Sequence, residues 1–239
     1  SIMKRLRNWD NKTWLSSKKY ISAFTFFLKK KVELNKNTKI LDIGCGRANI
    51  ISSLQKKYKF KNKPVGIDVI KNRNTKKNIM FYKKDALLFL KSTKVKFDLI
   101  IIKQVIHFFN TKQLKSLLKI AKSKLTNKGQ ILIFSLNNKN NQIPSFKKMK
   151  LTLNKSLKYD DRLFKMIRKN FKNSKFNYFK FEVNISKKNY LKMIKNRYIS
   201  CLLNFNQKDL INGMKEINNK YDNKIIFEDI LKCFFIKKY

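Results

Sequence analysis

Residues 39–46 have the sequence KILDIGCG, and this stretch decides the fold of the chain. The apolar run at 39–43 predicts a short buried strand, the two glycines predict a tight turn, and the pattern over 48–58 predicts a helix. Glycine permits backbone angles and a close approach of a ligand that a Cβ atom would block. The stretch therefore predicts a strand, a glycine turn and a helix, the first unit of an alternating α/β fold.

The same alternation continues downstream of this first unit. Further strands are predicted at residues 64–69, 79–82, 97–103 and 129–136, and helices at residues 86–90 and 111–125. These strands are apolar almost throughout, which is typical of a parallel sheet that helices cover on both faces. We therefore expect residues 37–136 to form a Rossmann-like, doubly wound α/β core with a mostly parallel sheet.

Two segments flank this core. Residues 11–33 carry aromatic and aliphatic side chains at spacings of three and four, which predicts an amphipathic helix within an N-terminal lid, residues 1–36. We expect a single domain, in which residues 137–222 form a helical cap with one late strand and residues 223–239 hold the C-terminal strand. The elements predicted there are helices up to residue 171, a strand at 176–183, helices at 187–205 and 207–221, and a last strand at 231–236.

The chain is strongly basic. With 58 Lys and Arg against 14 Asp and Glu among 239 residues, its formal net charge is +44, which points first to nucleic acid or an anionic surface. The lysines are spread along the whole chain, and the abundance of Lys, Asn, Ile and Phe is typical of an AT-rich coding sequence. We therefore interpret most of the charge as a diffuse solvated coat, with nucleic acid kept as an alternative partner.

The three cysteines, Cys45, Cys201 and Cys233, lie far apart in the sequence. They offer neither a CxxC metal motif nor a disulfide framework, so we expect no metal site and a reduced, cytoplasmic setting. The apolar runs fall far short of the roughly 20 residues of a membrane-spanning helix, and the sequence contains no signal-peptide pattern. We therefore expect no membrane partner, and the sequence gives no indication of an oligomeric state.

Acidic residues are scarce in the first 136 positions, and three of them fall at the ends of predicted strands. Asp42 lies in the first strand, Asp68 ends the second, and Asp85 follows the third. In such a sheet the carboxyl ends of the strands bind ligands, and a carboxylate about 20 residues after the glycine turn is placed to bind both hydroxyls of a ribose. Asp68 lies 22 residues after Gly46, so the sequence predicts a nucleoside ligand.

The glycine turn does not match a dinucleotide-binding motif. The position of the third glycine is held by Asn49, and the Asp42 carboxylate, two residues before the first glycine, would repel a phosphate. An acid at this place suits a ligand with a positive charge.

Four motifs occur in order, LDIGCG at 41–46, GID at 66–68, KDA at 84–86 and FDLIIIKQVIHFF at 97–109. Together they resemble the class I S-adenosylmethionine-dependent methyltransferases. The resemblance implies that fold, S-adenosylmethionine as the cofactor, and in-line transfer of its methyl group. It also implies cofactor contacts: Asp42 with the amino group of the methionine end, Gly44, Cys45 and Gly46 in the turn, Asp68 and Val69 at the ribose, Asp85 and Ala86 at the adenine, and Lys103 and Gln104 beside the methionine and sulfonium.

Two residues of the last motif have predicted roles at the substrate. His107 is the only histidine of the chain and occupies a position where many small-molecule members of this family carry one. It is a candidate general base for a hydroxyl or thiol substrate, with a structural histidine as the alternative. Lys103 stands where the family usually has a small residue, and we hypothesise that it meets an anionic group of the substrate; otherwise its stem carries the ammonium to solvent.

The substrate class is inferred from resemblance as well. Residues 196–200, NRYIS, resemble a helix in the cap of trans-aconitate-type methyltransferases, which makes Arg197 a candidate ligand for an acidic substrate. Tyr198, Trp14 and Tyr20 are candidate pocket residues.

The motifs of known nucleic-acid enzymes are missing. Residues 103–106 are KQVI, where methyltransferases of exocyclic base amines carry an N/D/S-P-P-Y/F/W element, and the cysteines do not fit a cytosine-C5 enzyme. We therefore predict methylation of a small metabolite, one with an anionic group being favoured. An RNA methyltransferase and a non-catalytic S-adenosylmethionine-binding protein are the alternatives.

Overall fold

The computed structural model describes residues 13–239, so the beginning of the helix predicted over 11–33 lies outside the described residues. The described α-helices are α1 (Lys18–Lys31), α2 (Asn49–Tyr58), α3 (Ala86–Ser92), α4 (Thr111–Ser123), α5 (Lys147–Asn170), α6 (Lys187–Lys195) and α7 (Gln207–Lys220). The strands are β1 (Ile40–Ile43), β2 (Val65–Asp68), β3 (Met80–Lys83), β4 (Phe97–Lys103), β5 (Leu125–Leu136), β6 (Lys175–Ser186) and β7 (Lys224–Lys237). Short 3-10 helices cover Trp14–Ser16, Ile106–Phe108 and Ser200–Leu202.

All described strands belong to one seven-stranded sheet with the order β3-β2-β1-β4-β5-β7-β6. The first five strands of this order are parallel, whereas β7 is antiparallel to both β5 and β6. The chain moves outward in one direction from β1 to β3 and then returns to the other side of β1 with β4. The predicted Rossmann-like, mostly parallel sheet is therefore confirmed, and the carboxyl end of β1 is its topological switch point.

Helices cover the central strands on both faces. Along β4, Ile100 and Ile102 pack into one apolar cluster with α3, α4 and α5, whereas Leu99 and Ile101 pack into a second cluster with α1 and α2. All four side chains are buried because each face of the strand meets a helical layer. The uniform apolarity of this segment in the sequence follows from that arrangement.

A third apolar cluster forms the cap. It joins the first half of α5 to α6, α7 and the amino-terminal part of β7. Residues 231–235 of β7 pair with both β5 and β6, residues 236–237 pair with β5 alone, and residues 224–230 pair with β6 alone. The paired strands β6 and β7 therefore extend past the parallel strands and support the cap helices, and β6, the late strand expected within residues 137–222, is the edge strand of the central sheet.

Three element boundaries predicted from the sequence between residue 176 and the end of the chain are wrong. The strands predicted at 176–183 and 231–236 span Lys175–Ser186 and Lys224–Lys237. The helix predicted over 187–205 ends at Lys195, because Arg197 has a left-handed backbone with φ +52°. The Arg197 amide donates to Ile194 O and the Tyr198 amide to Met193 O, which is a Schellman helix end.

Within residues 13–239, none of the helices has both the length and the apolar character that crossing a membrane would require.

Candidate active site

Two adjacent cavities lie at the carboxyl ends of β1, β2 and β4. The larger encloses about 360 Å³ and extends from the strand ends to the underside of the cap, and the smaller encloses about 70 Å³ beside the N-terminal helix. Both are lined by Gly44, Gly46, Lys103 and Gln104, which form the ridge between them. A site at this switch point is the position at which an open α/β sheet binds its ligands.

The glycine turn forms the floor of both cavities. Gly44 and Gly46 have positive φ angles of +72° and +56°, a region that side chains other than glycine rarely adopt. The amides of Gly44 and Cys45 donate to Ile67 O at 2.8 and 3.1 Å, which fixes the turn to the end of β2. A Cβ atom on Gly44 would lie 2.5 Å from Val105 Cγ1, so the turn and the segment after β4 approach each other too closely for any side chain.

Asp68 faces the larger cavity from the end of β2. Its Oδ2 accepts a hydrogen bond from the Gly46 amide at 2.9 Å, and its Oδ1 accepts one from the Ile70 amide at 3.2 Å. Burial raises the pKa of Asp68, and the hydrogen bonds from the backbone of Gly46, Ile70 and Val69 oppose that rise. Val69 also lines this cavity and is half exposed.

Asp42 lines the smaller cavity together with Cys45. Only 6% of Asp42 is exposed, and burial raises its pKa to about 8, with Lys103 lowering and Asp68 raising that value. Burial also raises the pKa of the Cys45 thiol, which is therefore not a nucleophile at neutral pH. The smaller cavity thus holds a carboxyl group that a cation would ionise.

Asp85 and Ala86 line the larger cavity beyond Asp68. Asp85 is the N-cap of α3, where its Oδ1 accepts the Leu88 amide at 3.0 Å. This bond explains an aspartate at this position on structural grounds alone, since an N-cap carboxylate satisfies an otherwise unpaired amide. The same geometry leaves its second carboxylate oxygen available to a ligand.

Lys103 ends β4 between the two cavities. Its Nζ donates to Gln104 Oε1 at 2.7 Å and lies over the rings of Tyr20 and Phe24, 5.0 and 5.2 Å from their centroids. Its charge lowers the pKa of both Asp42 and Asp229 against the effect of burial. The ammonium is thus directed toward the N-terminal helix and two buried carboxyl groups.

The two aromatic residues proposed for the lid differ in position. Trp14 does not line either cavity in the described part of the chain; its Nε1 donates to Asp229 Oδ2 at 2.8 Å, and its ring contacts Tyr198 and Phe227. Its role is thus to join the N-terminal segment to β7 and the cap. Tyr20 is fully buried and lines the smaller cavity.

His107 lines the larger cavity from the 3-10 helix that follows β4. Its Nε2 is shielded from solvent and has no hydrogen-bond partner among residues 13–239. Burial lowers the pKa of His107 to about 4, so the imidazole is neutral at physiological pH. Tyr159 of α5 donates a hydrogen bond to Phe109 O and thereby fastens the cap to this segment.

Arg197 and Tyr198 line the larger cavity from the cap. The Arg197 Nη2 donates to Phe205 O at 2.8 Å, whereas its Nε is buried and without a partner within residues 13–239. The Tyr198 hydroxyl bonds to the Tyr190 hydroxyl at 2.8 Å, and Tyr190 in turn donates to Pro144 O. Tyr198 is therefore occupied in the cap core, while the Nε–H group of Arg197 can still donate a hydrogen bond.

One acidic residue of the larger cavity, Asp160 of α5, was not predicted from the sequence. Its side chain is 4% exposed, and its Oδ1 is unpaired within the described residues. A signal for it exists in the sequence, because Asp160 falls within the helical spacing of buried apolar residues, namely Met149, Leu153, Leu157, Phe164 and Ile167. An acid in an apolar stripe is the unusual feature that identifies it.

The fold and the site define an α/β protein with a pocket at the switch point of its sheet. A sequence profile of the family described as "Methyltransferase domain" matches residues 34–198, which is more than half of the chain. The chain therefore belongs to this family of methyltransferases. No curated protein matches it.

Solved structures share this fold. One is a methyltransferase assigned to an antibiotic biosynthesis pathway of Anabaena variabilis, with a TM-score of 0.61, 14% identity, and coverage of 90% of this chain and 96% of that chain. Another is the plantazolicin methyltransferase BamL in complex with a triazolic desmethylPZN analog and SAH, with a TM-score of 0.55, 15% identity, and coverage of 97% and 89%. A third is a SAM-dependent methyltransferase from Archaeoglobus fulgidus, with a TM-score of 0.53, 18% identity, and coverage of 91% and 94%.

At these identities the likeness shows the fold alone. Taken with the family match, it confirms the class expected from the four motifs, an S-adenosylmethionine-dependent methyltransferase with S-adenosylmethionine as its cofactor.

Proposed function

We propose that this methyltransferase acts on a small metabolite that carries an anionic group. The observation that carries the proposal is the larger cavity, which continues from Asp68 to the underside of the cap and is covered there by α5 and residues 197–203. A volume of about 360 Å³ lies at the small end of the range for small-molecule sites. The part of the larger cavity under the cap, where the acceptor would bind, thus suits a compact molecule. Arg197 offers an N–H group there to an anion.

The residues at the strand ends fit the cofactor. Both oxygens of the Asp68 carboxylate accept backbone hydrogen bonds, and because a carboxylate has about four acceptor sites, capacity remains for a ribose hydroxyl. A Cβ atom on Gly46 would meet nothing within 4 Å, so the turn leaves open space at this point. In this proposal Asp42 binds the amino group of the methionine end, with Gly44 and Cys45 beside it.

The remaining cofactor contacts in this proposal also lie at the carboxyl ends of the strands. Val69 packs beside the ribose, Asp85 and Ala86 contact the adenine, and Lys103 and Gln104 lie beside the methionine end. S-adenosylmethionine supplies a methyl group that its sulfonium activates. The protein's contribution is to hold the acceptor in line and to exclude water, which requires few catalytic groups.

Two residues act on the acceptor in this proposal. Arg197 binds the anionic group with the Nε that has no partner in the described structure. His107, neutral because burial lowers its pKa to about 4, accepts or donates a hydrogen bond at the cavity wall. Lys103 is directed toward Asp42 and Asp229, so its charge supports the cofactor end, and a direct contact with the acceptor's anion is the less favoured arrangement.

Cofactor binding at pH 7 is expected to release about one proton from Asp42. Its pKa of about 8 keeps the carboxyl group mostly protonated at pH 7, and a bound ammonium favours the ionised form. The measurement is calorimetric titration with S-adenosylhomocysteine in buffers of different ionisation enthalpy. Affinity should rise from pH 6 to pH 8 as the proton no longer has to be displaced.

Asp42→Asn is the matched variant for this measurement. It retains the shape of the side chain and should abolish the buffer-dependent part of the binding enthalpy. Equal buffer dependence in the wild type and in Asp42→Asn would show that Asp42 does not meet the ammonium.

Replacing Arg197 with lysine is expected to raise the KM of an anionic acceptor roughly 10-fold or more, because a lysine side chain has no N–H group at the position of the Arg197 Nε. The affinity for S-adenosylhomocysteine should not change. Acceptors are first found by screening small carboxylic, amino and hydroxy acids with a methyl-labelled cofactor, and KM is then measured for those that accept the label.

The control for Arg197→Lys is Arg162→Lys, an exposed arginine of α5. Both variants preserve charge, so a similar KM change in the two would contradict a specific role for Arg197. The relatives described above give no support to the RNA alternative. Binding of RNA that persists at physiological salt would nevertheless overturn the small-molecule proposal, since a diffuse lysine coat predicts weak and steeply salt-dependent binding.

A further inference from the structure

We propose that Asp160 is the acceptor-binding carboxylate of this site, which selects an acceptor with an N–H or O–H group and takes that proton during methyl transfer. This inference rests on the proposed function and narrows its substrate class. It predicts methylation of nitrogen or oxygen in a compound such as an amino acid or a hydroxy acid, and it disfavours methylation of a carboxylate oxygen.

The first support is that one face of α5 lines the larger cavity. Leu153, Ser156, Leu157 and Asp160 recur at spacings of three and four along α5, and all four line the larger cavity. The Ser156 hydroxyl donates to Thr152 O and is thus not used by Asp160. Asp160 is the acid on this face.

The second support is the missing partner of a buried acid. Asp160 Oδ1 is shielded from solvent and makes no hydrogen bond within residues 13–239. Nearly all buried polar groups in folded proteins are paired, because an unpaired one costs free energy. A ligand with an N–H or O–H group in the cavity would satisfy this oxygen.

The third support is the position of Asp160 along the cavity. The preceding residue, Tyr159, donates its hydroxyl hydrogen bond to Phe109 O, and α5 packs against the 3-10 helix that contains His107. Asp160 therefore lies with the segment that directly follows β4, where the cofactor's reactive end is expected. Asp85 marks the opposite, adenine end of the same cavity.

Among the described residues, none of the charged and titratable groups near Asp160 bonds to its Oδ1. His107 faces the cavity from the segment after β4, and Arg197, Tyr198 and Cys201 face it from the cap. The helix α4, which also packs against α5, contributes apolar side chains to that contact. The acids of α7 bond at the far end of α5, where Glu216 accepts the Lys147 amide and Asp209 pairs with Lys148.

The acidity of the group suits a proton acceptor at neutral pH. Burial raises the pKa of Asp160 to about 7, whereas burial lowers the pKa of His107 to about 4. A general base works best when its pKa lies near the working pH, so of these two groups the carboxylate is the better base.

The proton transfer is balanced as follows. The acceptor's N–H or O–H bond breaks, and its proton goes to the Asp160 carboxylate, which becomes a neutral carboxylic acid. The acceptor's lone pair forms the new bond to the methyl carbon, and the sulfur keeps the electron pair of the carbon–sulfur bond. The carboxylic acid returns its proton to water when the product leaves.

The experiment compares Asp160→Asn with Asp161→Asn in the full chain. Asp161 is the adjacent acid, but it does not line the cavity, and it pairs with Lys165 at 3.0 Å and accepts a hydrogen bond from Asn138. Both variants remove one negative charge from the same turn of α5. Each is titrated with S-adenosylhomocysteine, and each is assayed with labelled cofactor against amino acids, hydroxy acids, and unsaturated diacids without N–H or alcoholic O–H groups.

We expect label transfer to amino or hydroxy acids, with kcat lowered about 100-fold or more in Asp160→Asn. The rise of wild-type kcat with pH near 7 should be absent in this variant. Asp161→Asn should behave as the wild type, and both variants should bind S-adenosylhomocysteine with unchanged affinity.

Thermal unfolding gives a readout that does not depend on activity. The folded-state pKa of Asp160, about 7, lies above the ordinary value of 3.8, so the wild type loses stability as the pH rises from about 4 to about 7. Asparagine has no proton to lose. The melting temperature of Asp160→Asn, relative to the wild type, should therefore be higher at pH 8 than at pH 5, and Asp161→Asn should show no such change.

Three results would overturn the role of Asp160. These are equal kcat and equal pH profiles in the two variants, an equal pH dependence of their melting temperatures, and label transfer to the diacids alone. Each leaves the proposed function standing as long as S-adenosylhomocysteine binds and a small acid is methylated. Loss of S-adenosylhomocysteine binding by the wild type would instead contradict the proposed function itself.

Discussion

Gly44→Ala is expected to destabilise the protein by about 2–4 kcal/mol and to abolish measurable binding of S-adenosylhomocysteine. Gly44 has φ +72°, and its new methyl group would lie 2.5 Å from Val105 Cγ1. A left-handed alanine costs roughly 1 kcal/mol, and the overlap with the partly buried Val105 adds about 1–3 kcal/mol. Relief of this overlap has to move either the glycine turn or the segment after β4, and both line the cavities.

Gly46→Ala is the matched control for this substitution. Gly46 also has a positive φ of +56°, but a Cβ atom there would meet nothing within 4 Å. Only the backbone cost of about 1 kcal/mol is then expected. Free energies of unfolding from denaturant titrations measure the comparison, and equal losses in the two variants would contradict the close approach of Val105 to the turn.

Asp68→Ala is expected to weaken S-adenosylhomocysteine binding about 10- to 100-fold or more. The substitution leaves the ribose hydroxyls without their acceptor and removes the anchor of the Gly46 and Ile70 amides. Asp68→Asn should lose less, since its amide oxygen still accepts a hydrogen bond. Calorimetric titration of both variants measures the effect.

Asp98→Ala is the control for Asp68→Ala. The Asp98 carboxylate also accepts two hydrogen bonds, from the Lys39 amide and the Thr126 hydroxyl, but it lies at the opposite end of the parallel strands. Both alanine variants should lose stability, whereas only Asp68→Ala should lose affinity. Unchanged affinity in Asp68→Ala would mean that the ribose does not bind at the end of β2.

The core of the fold could be predicted from the sequence because its determinants are local. The stretch KILDIGCG contains both the buried strand and the glycines of the turn, and residues 97–103 are apolar throughout except for Asp98 and Lys103. The strand predicted at 97–103 matches β4 in both bounds. Asp42, Asp68 and Asp85 could be named as candidates because acids are rare in this part of the chain and each lies in, ends or follows a strand.

The second half was harder to predict because its structure depends on distant contacts. The amino-terminal part of β7 pairs only with β6, and Glu228 and Asp229 interrupt its apolar run, so the sequence there does not stand out as a strand. The end of α6 at Lys195 has no glycine to mark it, since Arg197 takes the left-handed position. Tertiary packing of Tyr198 against Tyr190 and Trp14 compensates for that conformation.

In the candidate site, too, features set by local sequence could be predicted, and features set by distant contacts could not. Trp14 contacts Asp229, 215 residues away in the sequence, so its role between the N-terminal segment and β7 was not accessible from spacing. The direction of the Lys103 ammonium depends on Tyr20, Phe24 and Asp229, which come from both ends of the chain. Asp160 did carry a local signal, an acid in an apolar helical stripe, which becomes informative once α5 is known to cover the cavity.

The most direct test of the central claim is a calorimetric titration of the full chain with S-adenosylmethionine and S-adenosylhomocysteine, with NAD and ATP as controls. Asp42, the glycine turn and Asp68 predict saturable one-to-one binding of the first two compounds and none of the controls, which carry no primary ammonium group for Asp42 to bind. Absence of binding by both sulfur compounds, or equal binding of NAD or ATP, would contradict the assignment of this site to S-adenosylmethionine.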